Sequence, residues 1–277
     1  MAPTTLSALM MIASGSIHAV VNAIVKSGRD KMAARAVTDG SSALMLLPAT
    51  LLVPLPTGAW DWLAWSAVAH LVYLYALIRA YRVADLSAAY PVLRGTAPML
   101  TALVTIGVLG EPATMGQVAG IALIGIAMFV LVVGRHLGRG ALGWSVLTGV
   151  TIATYTVIDA HGVRAVQQPG SYIVWLFVVM GAAVVALFAV LTRGTLFASM
   201  RTQWRPGVAA GGLSILTYGL ALSAFALGPT APLAALRETG MITALVLAVL
   251  FLGETVTLRR VCAIGGILTG AALILLA

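Results

Sequence analysis

This sequence has few charged residues for its length. Only 9% of its 277 residues are charged and only eight are acidic, whereas 61% are hydrophobic. A soluble domain of this size could not cover its surface with so few charges, so the composition predicts a chain solvated by lipid. The single cysteine, Cys262, excludes an internal disulfide. The net charge of +8 comes from short basic clusters between apolar runs, a pattern typical of membrane topology and not of nucleic-acid binding.

Apolar runs of about 20 residues predict ten membrane-spanning helices with short connections. The second run contains Asp39 and Pro48, and proline is tolerated there because neighbouring groups can satisfy the freed carbonyl. The expected fold is an all-α integral membrane protein. The predicted spans are roughly 5–26, 34–54, 62–83, 87–109, 114–134, 141–163, 171–192, 206–227, 231–253 and 258–277.

Basic residues are concentrated in alternate connections, which predicts the orientation of the chain. Thirteen of the sixteen lysines and arginines follow odd-numbered spans: residues 26, 29, 31, 35, 79, 82, 135, 139, 193, 201, 205, 259 and 260. By the positive-inside rule these connections are cytoplasmic and both termini face outward. Trp60, Trp62 and Trp65 would then form an aromatic belt at the outer interface.

An internal repeat links the two halves of the chain. The segment "LRGTAPMLTALVTIGVLGE" (93–111) matches "LRETGMITALVLAVLFLGE" (236–254) at an offset of 143 residues. A repeat of five spans is odd-numbered, so its second copy must be inverted in the membrane. We therefore predict two five-helix repeats, 1–137 and 138–277, in the manner of secondary transporters that bind substrate near the midplane.

These paired segments resemble the two halves of the drug/metabolite transporter superfamily, of the EamA type. The segments "HAVVNAIVKSG" (18–28), "AYPVLRGTAP" (89–98), "YTVIDAHGVR" (155–164) and "AALRETG" (234–240) resemble a bacterial subgroup with some members labelled as phosphonate-utilisation-associated membrane proteins. The resemblance implies a ten-helix exporter or exchanger of small metabolites in the bacterial inner membrane, without ATP or a bound cofactor. Characterised relatives keep both termini in the cytoplasm, whereas the charges here predict both outside.

Two arginines inside predicted spans are the main candidates for substrate binding. Arg94 lies about seven residues into the fourth span and Arg237 about six residues into the ninth, from opposite faces. An ionisable side chain at this depth is costly, and a guanidinium suits carboxylate or phosphate oxygens. The structural alternative is that each arginine is neutralised within the protein. Arg94 would then pair with Asp39 or extend its side chain to the membrane surface, and Arg237 would pair with a carboxylate on another helix. Glu238 points about 100° away from Arg237 around the helix and is therefore a poor partner for it. We expect Glu238 to act as gate or proton carrier.

Other polar residues within the spans are candidates for the same site. The further substrate-binding candidates are His18, Asn22, His70, Tyr73, Tyr90 and Tyr155. Asp159 and Asp39 are candidates for gating or proton coupling. The structural alternatives are a helix–helix hydrogen bond for His18 and Asn22 and a structural role for His70 and Tyr73. For Asp159 the alternative is pairing with Arg164, and for Asp39 it is compensation of the preceding basic connection. Glu111 and Glu254 follow glycines at span ends, where a structural turn is the simpler interpretation.

Two classes of function remain open. The first is a secondary transporter that moves a small anionic or zwitterionic metabolite by alternating access, coupled to protons or to a counter-substrate, as a monomer or homodimer. The second is a membrane-embedded enzyme or a lipid-handling protein of the flippase or scramblase kind; export of cationic or amphipathic compounds is a variant of the first. The sequence has no nucleophile elbow, metal-ligand spacing or phosphate loop, which argues against an enzyme.

The predicted topology is tested by fusing reporters to Ala277. A reporter active only in the periplasm should give signal and one active only in the cytoplasm should not, because the basic connections hold the C-terminus outside. The opposite pattern would show that the charge count predicts the wrong orientation.

Overall fold

The computed structural model describes residues 3–27, 30–83, 86–133, 137–193, 195–252 and 255–277, and within these ranges every regular element is helical. Eight helical segments there are long and apolar enough to cross a bilayer, and Met115–Val130 is a shorter apolar helix. The predicted fold class is confirmed: the chain is an all-α, multi-pass membrane protein. The helices are α1 Thr5–Ser27, α2 Lys31–Leu46, α3 Trp60–Val83, α4 Leu86–Ala102, α5 Met115–Val130, α6 Arg139–Arg164, α7 Pro169–Leu191, α8 Leu196–Leu227, α9 Thr230–Arg237, α10 Gly240–Leu252 and α11 Leu258–Leu276.

Two spans depart from regular α-helix toward one end. Helix α2 stops at Leu46 and continues as a 3₁₀ turn over Leu47–Leu51, where Pro48 occupies one of the first two positions. A proline fits there because the first amides of a helix have no intrahelical partner. Helix α4 contains Pro91 and Pro98 and continues as a π-helical segment over Leu103–Val108.

Helix α8 begins about ten residues earlier than the sequence predicts. It spans Leu196–Leu227 with Pro206 inside it, whereas we placed its start at 206. The extension is held by packing, because Leu196 is fully buried and the Gln203 side-chain amide donates to the carbonyl of Asp30 at 3.3 Å. Two of the arginines assigned to the connection before it, Arg201 and Arg205, therefore lie on the helix itself.

The ninth span is broken, contrary to the continuous helix predicted over 231–253. Helix α9 ends at Arg237, α10 begins at Gly240, and the hydrogen bonds between them run from residue i to i−3. The reason is the close approach of α1: a β-carbon on Gly15 would strike the carbonyl of Arg237, and one on Gly240 would strike the backbone of Gly15. The break therefore places Arg237 and Glu238 at a backbone irregularity in the middle of a span.

Helix packing follows the pattern that an inverted repeat requires. Helix α1 packs against α8 and against the α9–α10 pair, while α6 packs against the corresponding α3 and α4. Gly15 of α1 abuts Arg237 and Gly240, and Gly149 of α6 abuts Leu93 and Thr96 of α4 in the same way. The contacts α2–α7 and α5–α11 join equivalent helices of the two halves. This correspondence supports the repeat; its boundary at residues 137 and 138 stays a prediction.

Equivalent N-caps mark the repeat offset at α5 and α11. The hydroxyl oxygens of Thr114 and Thr257, 143 residues apart, accept from the backbone amides of Gln117 and Arg260. These caps satisfy amides that would otherwise be left without partners at the start of each helix. The structure does not describe Glu254, the equivalent of Glu111 in the predicted repeat, or the side chain of Lys26.

Helices α5 and α11 cross at a pair of glycines. A β-carbon on Gly120 would collide with the carbonyl of Gly270, and one on Gly270 would lie 2.7 Å from the carbonyl of Gly120. Gly266 similarly faces Ala127, as expected for close packing through small residues, whereas Gly265 faces open space.

Substitution of Gly120 by alanine tests this crossing. We expect Gly120→Ala to lower the free energy of unfolding by about 1–3 kcal/mol, because the backbone carbonyl opposite cannot move aside. The matched control is Gly265→Ala, which meets nothing within 4 Å. Thermal unfolding of the detergent-purified variants measures both; equal stability of the two variants would contradict the assigned crossing point.

Candidate functional site

Arg94 reaches the α9–α10 break, which also contains Arg237. The Nε of Arg94 on α4 lies 2.8 Å from an Oε of Glu238, and Glu238 follows Arg237 in the chain. All three are buried, with exposed fractions of 7% for each arginine and 4% for the glutamate. The carboxylate of Glu238, from the second half of the chain, is thus placed beside the guanidinium of Arg94, from the first half.

This cluster is incompletely satisfied by the protein. The Arg94–Glu238 contact has the distance of an ion pair without the alignment of a hydrogen bond, since Arg94 Nε and Glu238 Oε2 have no hydrogen-bond partner among the described residues. The Nε of Arg237 is likewise buried without a partner in that set. Buried polar atoms are rarely left in this condition unless a water, an ion or a ligand completes them.

Arg237 lies over an aromatic ring instead of beside a carboxylate. Its guanidinium carbon is 5.3 Å from the ring centroid of Tyr218 on α8, and no acidic oxygen of the described residues lies within 4.0 Å of it. The hydroxyl of Tyr218 donates to Asp159 on α6, and Tyr172 on α7 donates to the other oxygen of Asp159 at 2.8 Å. Tyr218 therefore connects the charge of Arg237 to the fully buried carboxylate of Asp159.

An aromatic cluster extends from Tyr218 toward α3. The His70 ring stacks on Tyr155 with centroids 4.0 Å apart, and Tyr73 and Tyr218 meet Tyr155 edge-on at 5.5 and 6.5 Å. The Nδ1 of His70 donates to the carbonyl of Ser66 at 2.9 Å, which fixes the ring. Three of the predicted site residues, His70, Tyr73 and Tyr155, thus lie in one cluster with Tyr218.

Helix α1 supplies the opposite side of the cluster. The side-chain amide of Asn22 donates to the hydroxyl of Tyr90 at 3.4 Å, and the ring of Tyr90 lies 6.0 Å from the guanidinium carbon of Arg94. His18 lies one turn before Asn22, is half-buried, and is within the electrostatic reach of Arg94 and Arg237. Asn22 and Tyr90 therefore lie on the side of Arg94, and His18 is within the electrostatic reach of both arginines.

Asp39 does not neutralise Arg94. Its carboxylate pairs with the Nε of Arg35 at 2.7 Å, one turn earlier on α2. This pair confirms the interpretation that Asp39 compensates the basic residues just before it in the chain. The alternative that Asp39 compensates Arg94 is wrong, because Glu238 is the carboxylate paired with Arg94. A gating role for Asp39 stays a prediction.

Asp159 does not pair with Arg164. The two tyrosine hydroxyls occupy the carboxylate of Asp159, while Arg164 reaches from the end of α6 to other elements. Arg164 donates to the carbonyl of Phe225 at 2.7 Å, to the carbonyl of Gly228 at 2.5 Å and to Glu111 at 3.0 Å. It therefore caps the last carbonyls of α8 and joins three connections at the end of the bundle that we predict to face outward.

Glu111 has a structural role, but at a different helix from the one expected. Its carboxylate accepts from the backbone amide of Thr230 at 2.9 Å and from the Thr230 hydroxyl at 2.7 Å, so it caps α9 and not α5. Burial alone would raise the pKa of Glu111, but the hydrogen bonds from Thr230 and Arg164 outweigh it and hold the pKa below the ordinary value.

The three tryptophans of the predicted outer belt do not share one environment. Trp60 and Trp65 are exposed, as a belt requires, whereas Trp62 is half-buried and stacks on His161 of α6 with centroids 5.5 Å apart. Nearby, the Ser171 hydroxyl donates to the carbonyl of Pro54 at 2.7 Å. Helices α3, α6 and α7 are thus tied together at this end.

Sequence reasoning missed the two tyrosines that hold Asp159. A tyrosine in an apolar run carries no distinctive signal, and the match of Tyr218 to Tyr75 at the repeat offset misleads, because Tyr75 is 46% exposed and contacts Trp144. The hydroxyls of Ser14 and Thr217 also bridge α1 and α8, through the carbonyls of Thr217 and Ser14 respectively. Only the three-dimensional packing reveals these partners.

Comparison with known proteins gives the family of the second half and the fold of the chain. The model of the EamA-like transporter family matches residues 139–276, so the resemblance inferred from the sequence is confirmed over the second half of the chain. A solved crystal structure of a protein superposes with a TM-score of 0.76 and 17% identity, covering 98% of this chain and 96% of that one. This likeness establishes the fold over nearly the whole chain. No curated protein matches the sequence.

The pH dependence of stability tests the Glu111 network. At neutral pH we expect Glu111→Gln to lower the free energy of unfolding by about 1–3 kcal/mol, since charged hydrogen bonds to Thr230 and Arg164 are lost. Because the folded pKa lies below the ordinary value of about 4.3, this contribution is complete above that value and disappears as pH falls through the folded pKa.

Thermal unfolding of the parent and variant across this range measures the difference. The control is Asp61→Asn, at an exposed acidic residue in the first turn of α3. If the difference in free energy of unfolding between the parent and Glu111→Gln stayed constant on acidification, the substitution would act through packing and not through charge.

Proposed function

We propose that this multi-pass membrane protein, whose residues 139–276 match the EamA-like transporter family, is a secondary transporter. Its substrate would be a small anionic or zwitterionic metabolite. It would act in the bacterial inner membrane by alternating access, with proton coupling or exchange as the source of free energy. The predicted orientation places both termini outside. The substrate would bind at the α9–α10 break, between Arg94 and Arg237.

The observation that carries this proposal is the excess positive charge at the break. The carboxylate of Glu238 is paired with Arg94, whereas Arg237 lies over the face of Tyr218 with no acidic oxygen of the described residues within 4.0 Å. A charge is costly to hold in a lipid-surrounded interior unless it is paired or serves a function. An acid group of a substrate would complete the orphaned Nε of Arg237 and keep the bidentate geometry that arginine favours.

The architecture supports a site that opens alternately to the two sides. Discontinuous helices near the midplane are the recurrent binding elements of secondary transporters, and the break lies where α1 and α4 meet the second half. Movement of one half against the other would separate Arg94 from Glu238, because these residues belong to different halves. Tyr90, Asn22 and His18 would contact the bound metabolite, and Glu238 or Asp159 would carry a proton.

The remaining candidates would form the wall against which the body of the substrate packs. The rings of His70, Tyr73, Tyr155 and Tyr218 form a continuous surface beside Arg237. Aromatic faces accommodate both apolar groups and cationic amines, so a zwitterion would place its acid group at the arginines and its remainder on this wall.

Replacement of the arginines tests the proposed substrate site. A thermal-shift panel of small anions, amino acids, phosphonates and cations first identifies a ligand. Arg94→Gln and Arg237→Gln should then bind it about tenfold to a hundredfold more weakly, as expected for loss of a charged hydrogen bond, and lysine variants should retain part of the affinity. Arg205→Gln, at an exposed position on α8, is the control and should bind like the parent.

Transport is then measured as counterflow of the radiolabelled ligand in proteoliposomes. Normal binding and counterflow by either glutamine variant would make that arginine structural. Movement of fluorescent lipid without counterflow of any soluble ligand would instead favour the lipid-handling class.

A further inference from the structure

We propose that the carboxylate of Glu238 is a built-in substitute for the acid group of the substrate, and that one proton binds to Glu238 when the substrate displaces it from Arg94 and Arg237. The inference rests on the proposed anion site and specifies its ligand and its coupling. The ligand is a small oxyanion, and proton and anion enter the site together.

The position of Glu238 is the first support. Its Oε2 lies 2.8 Å from Arg94 Nε, in the position that the acid group of a bound anion would take. The contact is unoptimised, since both atoms are buried without a hydrogen-bond partner among the described residues. A carboxylate held in place by charge without aligned hydrogen bonds can be replaced by a ligand whose oxygens align better.

Charge conservation is the second support. Arg94, Arg237 and an ionised Glu238 sum to one positive charge, and Tyr218 connects this excess to Asp159. An anion that takes the position of Glu238 beside Arg94 leaves the displaced carboxylate buried without that cation, and an unpaired buried carboxyl group favours its protonated form. Uptake of a proton by Glu238 removes this unpaired negative charge and leaves the net charge of the site unchanged.

The step needs no further reactant. The ligand carries one negative charge into the site, one proton from the aqueous phase forms an O–H bond on Glu238, and no covalent bond breaks. One proton and one monoanion therefore cross the membrane together in each turnover, and no net charge is moved.

Other groups near the break must be distinguished from Glu238. Helix α5 carries no titratable residue, and α11 carries only Arg259, Arg260 and Cys262 near its start. In the middle parts of the other helices packed against the break, the titratable or charged side chains are His18 on α1, Tyr90 and Arg94 on α4, Tyr155 and Asp159 on α6, and Tyr218 on α8. Near their ends, α6 also carries Arg139, His161 and Arg164, and α8 carries Arg201 and Arg205. Among the groups in the middle parts, the His18 ring is the one whose ordinary pKa falls in the physiological range, and a protonated His18 would favour anions in the same direction.

Anion titrations of the detergent-purified full chain test the proposal. Acetate and methanesulfonate are suitable probes because each stays a monoanion between about pH 6 and 9, and choline chloride matches the ionic strength. For the parent protein we expect affinity to fall as pH rises, by up to about tenfold per pH unit, because each binding event takes up a proton. A pH indicator in weak buffer should record close to one proton taken up per anion bound.

Three variants assign this proton. Glu238→Gln should bind both probes with affinity independent of pH and at least equal to that of the parent at low pH. His18→Gln should retain the pH slope, whatever its effect on affinity. Asp61→Asn, exposed on α3, should match the parent throughout.

The outcomes separate this inference from the proposed function. Anion binding that needs Arg94 and Arg237 but involves no proton uptake would overturn the exchange at Glu238 and leave the anion site intact. The exchange at Glu238 would also be overturned if the pH dependence of anion affinity were lost in His18→Gln and kept in Glu238→Gln. Failure of both probes to bind the parent would remove the anion site itself, and this inference with it. The proton measurement on the parent decides the matter even if Glu238→Gln does not fold.

Discussion

The buried charges of this chain must be compensated inside the protein, because lipid offers no solvation and only eight acidic residues serve sixteen basic ones. The structure meets this constraint differently at each place. Arg35 is paired with Asp39 on its own helix, Arg164 is held by Glu111 and two carbonyls, and Arg94 is paired with Glu238 across the two halves. Arg237 alone among these four contacts an aromatic ring in place of a carboxylate. The properties that we assign to the site depend on this one incomplete compensation.

The backbone around Arg237 follows from packing as much as from charge. Gly15 allows α1 to approach so closely that the ninth span breaks, and the break turns Glu238 toward Arg94 on α4. The equivalent contact of Gly149 with α4 does not break that helix at Arg94. Arg94 thus lies within a continuous helix, whereas Arg237 lies at a helix end. The inverted repeat that the sequence predicts would therefore contain an asymmetric site at the position that we propose.

The sequence predicts much of the fold because long apolar runs, basic connections and helix caps are local signals. It also identifies Arg94, Arg237 and Glu238 as candidates, since ionisable residues stand out in an apolar run. Their pairing could not be predicted, because it depends on the register of α4 against the α9–α10 break. The Arg35–Asp39 pair has helical i,i+4 spacing and was accessible to sequence reasoning. The hydroxyls of Tyr172 and Tyr218 on Asp159 were not, since they come from two other helices.

The central claim is that an oxyanion binds between Arg94 and Arg237, and its most direct test is to locate one. Selenate is a tetrahedral oxyanion whose selenium scatters anomalously, so diffraction from crystals of the full chain soaked with it shows its position without reference to transport. The account predicts an anomalous peak at the α9–α10 break, with selenate oxygens about 3 Å from both guanidiniums. Selenate bound only along the basic connections, with the break unoccupied at concentrations that saturate those surface positions, would contradict it.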